Sequence, residues 1–109
     1  MFTMVSTTCD SKEAAEKIAH IVLNQRLAAC VQISDTISSH YRWKGEIVQD
    51  QEFLVTMKTR KAHFAMLTKL IKDNHPYEIP EIISVELSEI SKEYHNWLQQ
   101  ETKREQERE

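Results

Sequence analysis

Residues 27–59 read LAACVQISDTISSHYRWKGEIVQDQEFLVTMKT, and this stretch decides the fold. In its first half, Leu27, Ala29, Val31, Ile33, Ile37, Tyr41 and Trp43 all fall on odd positions. A period of two marks a strand with one buried face. In its second half, from Glu46 to Thr59, Ile47, Phe53, Val55 and Met57 are odd as well, and Gly45 separates the halves. The reading is a long hairpin, bent near Ser34-Asp35. Its turn must bring both odd sets to one face. A two-residue loop at Lys44-Gly45 pairs odd positions with even ones. A three-residue loop, Trp43-Lys44-Gly45, pairs Ile33 with Val55 and Val31 with Met57, and gives Gly45 the left-handed position such loops need. The three-residue loop is therefore expected, unless a bulge elsewhere repairs the phase.

Outward from the hairpin the elements alternate. Phe2 to Thr8 reads as a strand. Asp10-Ser11-Lys12-Glu13 resembles a capping box, with Asp10 as N-cap, and opens an amphipathic helix over residues 11–26. Phe64, Leu67, Leu70 and Ile71 mark a second helix over residues 61–73. His75 precedes Pro76, which ends that helix, and Pro80 leads stiffly into a strand from Ile82 to Leu87. Ser91 can cap a third helix carrying Tyr94, Trp97 and Leu98, with Trp97 read as core beneath it. Residues 101–109 are polar and mixed in charge, a solvated helix extension or frayed tail. The order β-α-β-β-α-β plus a C-terminal helix predicts one α+β domain over residues 1–109. It is the ferredoxin-like arrangement of an antiparallel sheet with two helices on one face. Several strands are apolar on both faces, so the uncovered face and the long hairpin predict a homo-oligomer.

Bulk properties narrow the function. At 109 residues, 40% hydrophobic and 28% charged, the chain has the balance of an ordinary soluble domain. A net charge of −3 without a basic block argues against nucleic acid or an anionic membrane as partner. No apolar run reaches the roughly 20 residues of a membrane helix. The N-terminus lacks signal-peptide character, and Cys9 and Cys30 alone make no secreted disulfide framework, so a cytoplasmic location is expected. With Gly45 as its one glycine, the chain has no phosphate loop, dinucleotide fingerprint or Gly-x-Ser-x-Gly elbow. It also lacks Cys-x-x-Cys and His-Glu-x-x-His metal motifs. No catalytic signature remains, and a non-enzymatic role is expected.

Several segments together resemble one family. Leu27-Ala28-Ala29-Cys30-Val31, Tyr41-Arg42-Trp43-Lys44-Gly45-Glu46-Ile47, Lys58-Thr59, His75-Pro76-Tyr77-Glu78-Ile79-Pro80-Glu81-Ile82 and Trp97-Leu98 occur in the order and spacing of the CutA divalent-cation-tolerance proteins. The resemblance covers about the first hundred residues. It implies a ferredoxin-like protomer, a homotrimer and a part in tolerance to copper and other divalent metals. The trimer is similar to that of the PII signalling proteins, which suggests clefts between subunits. Some bacterial relatives have copper binding assigned to a cysteine at the end of the first strand and a His-His pair before the proline. The matching positions here are Thr7 and Asn74, so only His75 carries over and the copper site is incomplete.

The residues themselves leave alternatives open. His75 can ligate copper, zinc or nickel, or it can end a helix by bonding its free carbonyls. Any metal site needs partners from Glu78, Glu81, a cysteine or a second subunit. Cys30 lies in even phase, facing the uncovered side, as a Cu(I) ligand or a small buried hydrophobe. Cys9 precedes a helix N-terminus, a place that lowers a thiol pKa, or it is a plain loop cysteine, the simpler reading. The metal candidates are thus His75, Cys30, Cys9 and Glu78. Tyr41, Lys58 and Glu81, beside Glu52, form a candidate cleft for a small anionic ligand; alternatively Tyr41 and Trp43 are interface packing, and Lys58 pairs with a carboxylate such as Glu81.

Overall fold

A computed structural model describes residues 1–104 of the chain. Its elements are β1 (Phe2–Cys9), α1 (Lys12–Asn24), β2 (Cys30–Trp43), β3 (Glu46–Arg60), a 3-10 turn (Lys61–His63), α2 (Phe64–Asn74), β4 (Ile83–Glu86) and α3 (Lys92–Glu101). The four strands form one antiparallel sheet in the order β2-β3-β1-β4, the expected ferredoxin-like topology. The polar tail expected over residues 101–109 falls mostly outside the described residues; within them, α3 ends at Glu101.

The core lies between one sheet face and the first two helices. Val5, Cys9, Val55 and Met57 from the strands pack with Ala15, Ile18 and Val22 of α1 and Leu67 and Ile71 of α2, all fully buried. Each large aliphatic side chain buried this way contributes roughly 1.5–3 kcal/mol. The N-cap of α1 is Ser11, not Asp10: the Ser11 hydroxyl accepts the Ala14 N–H at 3.1 Å. The helix closes with Arg26 in the left-handed region, φ 56°. Leu27 N–H then reaches Val22 O and Arg26 N–H reaches Leu23 O, which satisfies the last carbonyls and tucks Leu27 inward.

The hairpin corrects the expected loop. Trp43 pairs with Glu46, so the turn has two residues, Lys44 (φ 50°) and Gly45 (φ 82°), both left-handed as a type I′ turn requires. Ile33 still pairs with Val55 and Val31 with Met57, because a bulge intervenes. Between the pairs Ile33–Val55 and Thr36–Phe53, Ser34 and Asp35 face Leu54 alone. The Ser34 hydroxyl accepts the Leu54 N–H at 3.0 Å, replacing a ladder bond the bulge removes. The bulge reverses the phase of β2. Beyond it, Tyr41 pairs with Val48 rather than Ile47, and Ile37, Tyr41 and Trp43 share a face with Asp50 and Glu52.

On the opposite sheet face, α3 covers one end. There α3 lays His95 against Phe2, ring centroids 4.9 Å apart. Arg26 donates to the carbonyls of Gln100 and Lys103, and Arg60 to that of Gln99. These cations thus hold the negative end of α3. Ser91 occupies the N-cap position, but its side chain makes no capping bond. Leu98 is the buried residue of α3; Trp97, expected as core, is 41% exposed and stacks beside Tyr94.

Candidate functional site

Residues 75–81 wrap the C-terminal end of β1, with His75 on the helix-covered side and Tyr77 on the other. His75 adopts the extended geometry imposed by the following proline (ψ 139°). Its Nδ1 accepts the Tyr77 N–H at 3.1 Å, which leaves the ring proton on Nε2. Nε2 donates to Thr8 O at 2.8 Å, with the Thr7 hydroxyl at 3.3 Å and the Cys9 thiol at 3.8 Å. His75 and Cys9, two of the metal candidates, do come together, beside Thr7. As arranged, however, neither ring nitrogen offers a free lone pair. Burial, with the negative charges of Asp10 and Glu52, pushes the Cys9 thiol up to about 11. That removes the reactive-thiol alternative, since a buried thiol facing carboxylates resists ionisation, and Cys9 is a core residue rather than a loop one. Asn74 donates to Leu70 O and ends α2.

The other candidates lie elsewhere. Cys30 is half-buried at the far end of the sheet and pairs with Lys58, which pairs with Met4; Cys9 sits two strands across and five positions, about 17 Å, further along β1. The Tyr94 phenol is shifted upward, first by burial and then by Cys30 beside it. Lys58 donates to Gln32, not to Glu81. The anionic-ligand set is thereby divided: Tyr41 and Glu81 share a groove, and Lys58 is not among its lining residues.

That groove, about 660 Å3, runs between the hairpin tip and residues 77–81. Its walls carry Asp10, Asp50, Glu52, Glu78 and Glu81 with the rings of Tyr41, Trp43 and Tyr77, and, among the described residues, neither Lys nor Arg. The phase reversal at Ser34-Asp35 puts the β2 aromatics on the same face as Asp50 and Glu52. Tyr41 donates to Asp50, and this bond raises its pKa. Tyr77 donates to Glu52 at 2.7 Å; burial first, then Glu52 and Asp10, hold the phenol protonated far above its ordinary range. Tyr77, Asp50 and Asp10 were not among the sequence candidates. The alternation Glu46, Asp50, Glu52 along β3 is a visible signal of an acidic face; the contact from Tyr77, 25 residues away, is not. Among the described residues, no three His, Cys, Asp or Glu side chains converge closely enough to hold a metal ion, so one protomer does not close a coordination shell.

Comparison with known proteins places this architecture. Residues 3–101 match the family model of the CutA1 divalent ion tolerance protein. The "Divalent-cation tolerance protein CutA" of Thermus thermophilus is 42% identical over 102 residues, spanning 94% of this chain and 99% of that protein. "Protein CutA" of Mus musculus is 38% identical over 95 residues, which cover 87% of this chain and 54% of the mouse protein. Among solved structures, the periplasmic divalent cation tolerance protein CutA from Archaeoglobus fulgidus superposes with a TM-score of 0.91 at 34% identity, covering 94% of this chain and 99% of that one. None of these is an enzyme name. Among the described residues no helix is long and apolar enough to cross a membrane. The family match over residues 3–101 and the shared fold together show that this chain belongs to the CutA1 divalent ion tolerance family.

Proposed function

We propose that this protein serves divalent-cation tolerance as a cytosolic homotrimer that retains copper or another divalent ion at the acidic groove. The observation that carries the reading is the groove's wall of five carboxylates, Asp10, Asp50, Glu52, Glu78 and Glu81, with no lysine or arginine among the described residues that line it. Such a wall concentrates cations. It disfavours the rival reading of an anionic ligand, whose one lysine, Lys58, lies at the other end of β3. The ligand shell is weak within a protomer and is completed between subunits. Ile83 and Val85, 54% and 52% exposed beside each other on the uncovered sheet face, supply an apolar surface for that assembly. Glu78 and Glu81 act as cation ligands; His75 and Cys9 hold residues 75–81 onto β1.

Copper(II) titration by calorimetry tests this reading. Glu78→Gln/Glu81→Gln is expected to weaken binding about tenfold or more, as two charge-assisted contacts are lost. His75→Ala, checked for retained fold, is expected to bind nearly as the wild type does. Unchanged binding in the double variant, or abolished binding in folded His75→Ala, would overturn the assignment. Light scattering should give three times the 12.8 kDa protomer mass; a monomer would sink the assembly.

A further inference from the structure

We draw no further inference here: the strongest candidate, the aromatic wall of the groove where Tyr41 and Trp43 of the hairpin tip stand exposed across from Ile79, belongs to the site already described, and nothing in the structure shows what covers it.

Discussion

At its base, the β2–β3 hairpin carries Val31, Ile33, Val55 and Met57 under two helices, and Val55 and Met57 are wholly buried. At its tip the same alternation carries Tyr41, Trp43 and Ile47, all exposed, Ile47 at 73%. One pattern thus serves two ends with opposite surroundings. The difference begins at Ser34-Asp35. Below the bulge, odd residues of β2 face the core; above it, they face the groove. An alternating apolar pattern reports a two-sided strand, but not which side stays inward along its whole length.

Four substitutions probe that contrast. The largest effect belongs to the base. Met57→Ala should cost about 2–5 kcal/mol in a denaturant melt, whereas Ile47→Ala at the tip should cost under about 0.5 kcal/mol in an isolated protomer. A cost above about 1 kcal/mol at Ile47, with loss of oligomer mass, would show that partner subunits bury the tip and that the two ends differ less than one chain suggests. Next comes the turn. Gly45 has φ 82°, and a Cβ there meets nothing within 4 Å. Gly45→Ala should therefore cost about 1–2 kcal/mol from backbone strain alone. A neutral result would mean the two-residue turn does not set the tip register. The smallest effect lies at the divide. Ser34→Ala leaves the Leu54 N–H without its acceptor and should cost about 1 kcal/mol. Amide exchange at Leu54 should quicken while that at Met57 stays slow; slowing or no change at Leu54 would remove Ser34 from the bulge's support.

The element order was legible because each element carries its own period and stops. Pro76 and Pro80 end α2 and lead into β4, and Ser11 and Ser91 sit at helix starts even though Asp10 looked the better cap for the first. The turn length was not legible. A two-residue turn plus one bulged residue gives the same base pairs as a three-residue turn, so Ile33–Val55 and Val31–Met57 cannot tell them apart. The site was only half visible. His75 stood out by type and by its proline, but its partners Thr7, Thr8 and Cys9 lie more than 60 residues away, and no local signal points to them. Glu52 looked like an ordinary wall residue because its even phase set it on the uncovered face; its burial comes from Tyr77 closing over it. Trp97 misled for a related reason. A helix period places it beside Leu98, yet Leu98 is the residue α3 buries, and Trp97 lies outside with Tyr94.

The bulge also has a mechanical consequence. The molecule is 50 Å long but only 27 by 22 Å across, and the hairpin accounts for the elongation. From Thr36 to Trp43 the tip projects about 24 Å at ordinary strand rise. In shape it is a lever whose one irregularity lies at Ser34-Asp35. A change of about 10° at that joint would carry Trp43 through about 4 Å, more than the width of a water molecule, while the packed base stayed still. The gap between the arm and residues 77–81 therefore depends on the angle of one irregular joint, and a substitution at Ser34, which does not line the groove, is expected to change its width.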